Sequence, residues 1–420
     1  MAQGIEQHGN VAALTQYNRA RVIRALYRRG VCSRADIARA VELTPTAITK
    51  IAGDLIDIGA IKETGTIAGR AGRRSIGLCL NGERYRVIGV TFERSSVTMG
   101  VFTLEGHPAA DAARATLHVG ADEDARRVVS RTQDWIRARL AEDPAIVAVG
   151  ITIPGPYLPE DGRIAVVTIA NDWESIDFRS SFLEAFEVPV WIEHDAGAGA
   201  LAHKLLSARC AGADSLAYLL LGEGVGLGVI DHDRLLAGVH GGAGEIGHIS
   251  IDLNGPVCKC GNRGCLELYC SASAVASRLP ENRFERVFGA VSETMASSGN
   301  TTAPVAPSPI AACRGLFALA GDGEEWALAE VRRIGAFVGY ACVNVINAYD
   351  PGLIVLGDLM AEAGEPLLEA ARAVVDERVA PALAQRTEIT LTDLAADGVL
   401  SGAVALAIEH ALDHPAAFAR

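Results

Sequence analysis

The 420-residue sequence has no apolar run long enough to cross a bilayer, because stretches such as Leu216–Leu221 fall far short of the ~20 residues a spanning helix needs. Its N-terminus lacks the apolar h-region of a signal peptide, so no membrane is expected and the cytoplasm is the expected location. An even cysteine framework is missing too. Nine cysteines in a chain of this length suit a reducing compartment and metal ligation better than a disulfide scaffold. No internal repeat of 20–50 residues is visible. What the chain does have is apolar material, half of its residues, in a length that suggests two or three domains.

Charge is unevenly spread. Up to Gly82 there are 12 Lys or Arg against 6 Asp or Glu, and beyond it 26 against 45, within a total of −13. A small basic piece joined to a large acidic one is expected when one part meets a polyanion and the other does not.

The basic piece has the spacing of a helix-turn-helix. Asn18–Arg29 places Val22, Ile23, Leu26 and Tyr27 on one helical face with Gly30 as a stop. Ser33 with Asp36 three residues on forms a capping box for a second helix, and Thr44 with Pro45 starts a third that runs to Gly59. Ile48, Ile51, Leu55 and Ile58 face the core in this reading. Thr46, Thr49 and Lys50 are left outward near the helix N-terminus, where a recognition helix contacts DNA. Two short strands, 60–63 and 75–80, flank a loop whose Arg70, Arg73 and Arg74 lie among glycines and can enter a groove or pair with phosphates. A basic linker would look the same in isolation. Behind a helix-turn-helix the loop reads as a wing.

The acidic piece is organised around residues 240–269. His248, Cys258, Cys260 and Cys265 form an H-x9-C-x-C-x4-C set, the make-up of a closed structural zinc site. The alternative is that these are small buried hydrophobes. Three cysteines within eight residues, among Gly, Asn and Lys, make a poor core segment. Glu245 and Glu267 flank the set, so a metal would hold two carboxylates still.

G-A-G-E-I-G-H followed by C-x-C-G-x-x-G-C-L-E resembles the signature of the ROK family of sugar kinases and sugar-responsive repressors, and the likeness extends from about Gly89 to the C-terminus. The resemblance implies a zinc-braced, α/β actin-like (ribonuclease H-like) sugar-kinase fold in two lobes with a sugar between them. The first eighty residues resemble the DNA-binding head of its regulatory branch. The implied division is a winged helix-turn-helix domain over 1–82 and a sugar-binding domain over 83–420, with lobes of about 83–205 and 206–420.

The same resemblance implies site residues and shows departures from them. Residues 148–157 read as a buried strand ending in a Pro-Gly-Pro turn around Gly155, and 188–194 as a strand ending at Asp195, whose counterpart in the kinases is the general base. Its bland role is a helix N-cap. Glu245, His248 and Glu267 match positions that grip sugar hydroxyls, and Asn171, shortly before Trp173, is a further candidate to reach the ligand. His194 stands where Asn is usual, and Gly197 and His203 replace an expected Asn and Glu. On the nucleotide side the first phosphate loop expects an Asp and then Gly-Gly-Thr. This chain has Thr91 and then Glu93, Arg94 and Ser95. Glu223 sits inside the second loop, 222–226, in place of a small hydroxyl residue, and Asp358 replaces the second glycine of a Gly-Gly pair.

Between Arg283 and Gly315 the stretch 295–312, poor in core residues and rich in Ser, Thr, Pro and Ala, reads as a surface loop or insertion, followed by helices over 326–348 and 400–412. The expectation is a transcriptional repressor, dimeric or tetrameric, that binds an operator through its head and a sugar or sugar phosphate through its zinc-braced domain, with kinase activity lost. The rival expectation is a working ATP-dependent sugar kinase carrying a DNA-binding head.

Overall fold

A computed structural model describes residues 11–68, 74–94, 96–109, 114–120, 123–165, 172–297, 308–394 and 398–419. The chain forms two compact units. One comprises Met1–Thr152, Ile176–Glu193 and Ala403–Arg420, the other Ile153–Ser175 and His194–Gly402.

The first unit begins with α1 (Val11–Arg29), β1 (Cys32–Ser33), α2 (Arg34–Ala40) and α3 (Pro45–Asp57). Local chemistry sets each boundary. Gly30 ends α1 at φ +67°, its N–H donating to the Leu26 carbonyl at 2.9 Å. Ser33 accepts from the Asp36 N–H while Asp36 accepts from the Ser33 N–H, a complete capping box. Thr44 caps α3 by accepting from the Ala47 N–H, with Pro45 in the first turn. Val22, Ile23, Leu26, Ile37, Ile48 and Leu55 from the three helices are all buried.

Next, β2 (Ile61–Ala68) and β3 (Arg74–Leu80) pair antiparallel, in the sheet order β1-β3-β2. β2 runs past the expected Glu63 because the register shifts between Glu63 and Thr66, where Gly65 has φ +89° and forms a bulge from which pairing resumes.

Further along come β4 (Arg86–Phe92), β5 (Ser96–Thr103), β6 (Arg114–His118), α4 (Ala125–Glu142), β7 (Ile146–Ile153), β8 (Tyr157–Leu158), β9 (Arg163–Ile164), α5 (Phe178–Phe182) and β10 (Val190–His194). The main sheet has the order β10-β7-β4-β5-β6. β7 is buried along its whole length. A Cβ on its Gly150 would lie 2.0 Å from the Ala403 carbonyl oxygen, so glycine there lets the C-terminal helix lie on the sheet.

The second unit holds α6 (Asp195–Leu206), β11 (Ser215–Leu221), β12 (Val225–Asp231), β13 (Arg234–Leu235), α7 (Glu267–Cys270), α8 (Ala272–Arg278), α9 (Phe284–Ser297), α10 (Pro309–Gly321), α11 (Glu325–Tyr349), β14 (Leu353–Gly357), α12 (Glu365–Arg378), α13 (Pro381–Ala384) and β15 (Glu388–Leu391). α14 (Gly398–Asp413) starts here and ends in the first unit. The sheet order is β13-β12-β11-β14-β15, with β14 parallel to both its neighbours. Its core joins Leu219, Leu221 and Leu356 of the sheet to Leu316, Val331 and Ile334 of the helices.

One expectation fails at its edges. The centre of the segment read as a surface insertion, residues 298–307, lies outside the described residues, but its flanks are helical, since α9 continues to Ser297 and α10 starts at Pro309 behind a Ser308 cap. Ala311, Ala312 and Cys313 are buried, so small residues pack this core where large ones were looked for. Among the described residues no helix is long and apolar enough to cross a membrane.

Candidate functional site

The loop after the 3₁₀ turn Ile246–His248 folds as a knuckle. Ser250 bridges to Cys265 and Val257 to Arg263, while the Cys258 N–H donates to the Asn262 carbonyl at 2.8 Å. Gly264, at φ +65°, leaves no room for a Cβ, which would meet the Asp252 carbonyl oxygen at 1.8 Å. The knuckle brings one ligand atom each from His248, Cys258, Cys260 and Cys265 within 4.8 Å of one another. His248 Nδ1 lies 3.8 Å from Cys258 Sγ, and Cys260 Sγ lies 3.7 Å from Cys265 Sγ. Sulfurs ~2.3 Å from a tetrahedral zinc would be separated by about 3.7 Å. Burial pushes the Cys265 thiol up to about 12 and raises Cys258. Cys260 ends below its ordinary value because, against burial, the Asn262 backbone and the neighbouring thiols pull it down. Three cysteines this close would need a cation to be held together as thiolates, and the cluster could hold a metal ion.

Beside it lies a second set of groups, built on α6 and β12. Asp195 is the first residue of α6 rather than its N-cap, a position held by His194 without a side-chain capping bond. Asp195 Oδ1 accepts from the Ala196 N–H at 2.7 Å and lies 3.1 Å from His194 Nε2. The first helical turn favours a carboxylate through the helix dipole. Glycines on β12 set the approach of α6, because a Cβ on Gly228 would meet the Ala196 carbonyl oxygen at 2.2 Å and one on Gly226 the Ala196 Cβ at 2.8 Å. Glu267 accepts from the Val225 N–H at 3.1 Å.

Glu245 joins these groups electrostatically. Burial raises its carboxyl pKa, His194 and His248 lower it, and Asp195 and Glu267 raise it again, so the five side chains share one neighbourhood. Glu245 Oε1 is buried without a hydrogen-bond partner. A buried acceptor left unpaired costs about 1–3 kcal/mol, and a donor brought by a ligand would remove that cost.

Of the remaining positions, Gly155 takes φ +74° in the turn after β7. Asn171 lies outside the described residues. His203 turns toward the body of the unit. Its Nδ1 donates to the Gly199 carbonyl at 2.8 Å, so its Nε2 accepts from the Thr392 hydroxyl at 2.8 Å, and its ring stacks on Tyr218.

The loops matched to phosphate binding are filled by this chain's own groups. Thr91 is buried and accepts from the Thr152 hydroxyl at 2.9 Å, while Glu93 accepts from the Ser96 hydroxyl at 2.7 Å, closing the β4–β5 turn. Arg94 lies in that turn and Ser95 lies outside the described residues. In the second unit Asp358 has φ +61° and ψ −156°, a region that is essentially glycine's and costs another residue about 1–3 kcal/mol. This places its Oδ2 only 2.0 Å from where a Gly222 Cβ would be. The family resemblance shows an aspartate in place of a glycine but not that contact.

At the N-terminal end Thr46, Thr49 and Lys50 are exposed along α3, with the Thr49 hydroxyl donating to the Pro45 carbonyl at 2.9 Å. Arg74 is exposed at the start of β3, and Arg70 and Arg73 lie outside the described residues. Two arginines not singled out by the sequence tie elements together. Arg34 pairs with Glu63 at 3.0 Å, and Arg24 reaches both Glu409 and Asp413 of α14. Their partners are 29 and 385–389 residues away, so no local pattern reveals them.

The sequence matches the profile of the ROK family over residues 89–410. It is 27% identical over 411 residues to the xylose repressor of Caldicellulosiruptor bescii, covering 97% of this chain and 99% of that one. Among solved structures, a ROK family transcriptional regulator homologous to the Escherichia coli MLC protein superposes with a TM-score of 0.74 at 26% identity, over 96% of this chain and 97% of that one. A ROK hexokinase from Thermus thermophilus superposes with a TM-score of 0.56 at 26% identity, over 97% of its own length but 77% of this chain.

Proposed function

The chain belongs to the ROK family, with the actin-like fold of its kinases and repressors, and from that premise we propose that it is a DNA-binding transcriptional repressor whose effector is a sugar or sugar derivative. The observation that carries this reading is coverage. The regulator corresponds to 96% of the chain, whereas the hexokinase leaves unmatched a share close to that of the basic head. In this reading residues 1–82 are a winged helix-turn-helix domain and 83–420 the sugar-binding domain. Thr46, Thr49 and Lys50 face the operator, and Arg70, Arg73 and Arg74 form the wing.

Asp195, Glu245 and Glu267, with His194, His248 and Gly155, receive the effector. These acceptors, one of them buried and unpartnered, suit a ligand rich in hydroxyl donors. His248, Cys258, Cys260 and Cys265 hold a structural zinc ion, which braces the loop carrying Glu245 and Glu267. His248 then uses Nδ1 for the metal and its other nitrogen for the effector. Paired heads of a homodimer or homotetramer read a two-fold operator in the cytoplasm, and effector binding changes DNA affinity through a coupling of about 1–3 kcal/mol.

Asp195 alone favours the second reading, a sugar kinase. Thr91, Glu93, Glu223 and Asp358 oppose it, since backbone N–H groups and a free glycine turn are what phosphates need. The test is a thermal-shift screen of neutral sugars, amino sugars, sugar phosphates and Mg-ATP. An effector at a hundred times its dissociation constant stabilises the native state by about 2.7 kcal/mol. Response to one sugar class, weakened at least tenfold by Glu245→Gln, with none to Mg-ATP, is the expected result. ATP turnover abolished by Asp195→Asn would establish the kinase instead.

A further inference from the structure

Of the nine cysteines, only Cys79 and Cys260 are partly open to solvent. Reaction of a cysteine with a dissolved oxidant needs a thiolate that the oxidant can reach. Cys32, Cys210, Cys270, Cys313 and Cys342 are buried, and burial pushes the thiols of Cys270, Cys313 and Cys342 up to about 12, which keeps them protonated at neutral pH. Cys79 lies on β3 next to Leu78, and Leu78 is the residue opposite Cys32 of β1. Successive side chains of a strand point to opposite faces, so Cys79 turns away from Cys32.

Cys260 is placed differently. Its sulfur lies 3.7 Å from that of Cys265, which is fully buried behind it. A disulfide needs the two sulfurs ~2.05 Å apart, so a closure of about 1.7 Å would join them. The turn between them has glycine at both ends, Gly261 at φ +93° and Gly264 at φ +65°, and a Cβ on Gly261 would meet nothing within 4 Å. Cys258 is a poorer partner. It is separated from Cys260 by Lys259 alone, which would close a small strained ring, and its sulfur lies by His248 Nδ1 at 3.8 Å.

We propose that Cys260 is an oxidation site for hydroperoxides and Cys265 its resolving partner, so that the knuckle has a second covalent state, a Cys260–Cys265 disulfide, which cannot hold the metal. The proposal rests on the reading of His248, Cys258, Cys260 and Cys265 as a metal site. The Cys260 thiolate attacks one peroxide oxygen, the O–O bond breaks, and the other oxygen leaves and takes a proton to become water. Cys260 is then a sulfenic acid. The Cys265 thiolate attacks its sulfur, the S–S bond forms, the S–O bond breaks, and the second oxygen leaves with a proton as water. Two thiolates, one hydrogen peroxide and two protons thus give one disulfide and two waters, the sulfurs losing the two electrons that the peroxide gains. Only His248 and Cys258 remain as ligands, where a closed zinc site uses four. Oxidation then acts on the effector site as metal removal does, through the loop that carries Glu245 and Glu267.

The experiment treats the reduced full-length protein, its metal content measured beforehand, with hydrogen peroxide. Released metal is read with a chromogenic chelator, free thiols with a thiol reagent, and the oxidised positions by peptide mapping. The Cys260–Cys265 disulfide should be the first product, metal should appear in step with it, and a thiol reductant with added zinc should reverse both. Cys79→Ser should leave this course unchanged. Cys265→Ser, which keeps Cys260 but removes its partner, should stop at a sulfenic acid that dimedone traps. A first disulfide that involves Cys258 would overturn the proposal, as would oxidation of Cys79 ahead of Cys260, or metal retained after the disulfide has formed. Protein that carries no metal before treatment would sink the metal reading, and the peptide map alone would then decide whether Cys260 and Cys265 form the reactive pair.

Discussion

His410 stacks flat on Trp191, ring centroids 4.5 Å apart, and burial, with His414 next in effect, brings its pKa down to about 4. A histidine depressed in the folded state contributes stability that is full above its ordinary value near 6.5 and is lost as pH falls from there to about 4, because the unfolded chain takes the proton first. The loss amounts to about 2–3 kcal/mol. Unfolding midpoints measured from pH 7.5 to 4 should fall for this reason, and His410→Phe should flatten that fall. An unchanged slope in the variant would remove His410 from the account. At this scale the sequence was legible where function uses short spacing. The four metal-ligand candidates lie within eighteen residues, and Glu245 and Glu267 flank them. It was not legible for Asp195, whose place as first helical residue rather than cap depends on the φ and ψ of His194. Nor was it for Asp358, whose carboxylate lies against a glycine 136 positions earlier.

Among elements, α1 and α14 form the joint that holds the basic head to the rest of the first unit. Arg24 pairs with both oxygens of Asp413 and with Glu409 at 2.6 Å, and the Tyr85 hydroxyl donates toward the carbonyls of Ile58 and Phe418 at 2.5 and 2.8 Å. A bidentate, partly covered arginine network exceeds an ordinary surface pair. Arg24→Ala should therefore destabilise by about 1–2 kcal/mol, and combining it with Glu409→Ala in a double-mutant cycle should be less than additive by at least ~0.5 kcal/mol. Additive losses would show that the two side chains act independently. The helices were readable because caps are local, as Ser33 with Asp36 and Thr44 with Pro45 show. α10 carries the same Ser-Pro start at 308–309. It escaped notice because alanine and cysteine fill its buried face and the surrounding composition looks like a loop.

For the whole molecule, the helices of the basic head follow from periodicity and caps and the fold class from the ROK resemblance, but the grouping into units follows from neither. The chain leaves the first unit at Thr152, returns at Ile176, leaves again after Glu193 and comes back at Ala403, so contacts join segments hundreds of residues apart. In the proposed reading, function at this scale depends on the His248–Cys265 knuckle and the basic head acting within one protein. Chelation of the metal ion should lower the unfolding midpoint and weaken the sugar response at least tenfold, since the loop carrying Glu245 loses its brace. Retention of full sugar response after verified metal loss would contradict the bracing role. The central claim, that one chain couples operator DNA to a sugar, is tested most directly by titrating labelled upstream DNA with full-length protein, with and without the sugar that gives the thermal shift. The account predicts salt-dependent binding, weakened by Lys50→Ala, with an affinity that changes about 5- to 150-fold on adding that sugar. DNA affinity indifferent to every sugar that binds, or no sequence-selective DNA binding at all, would contradict it.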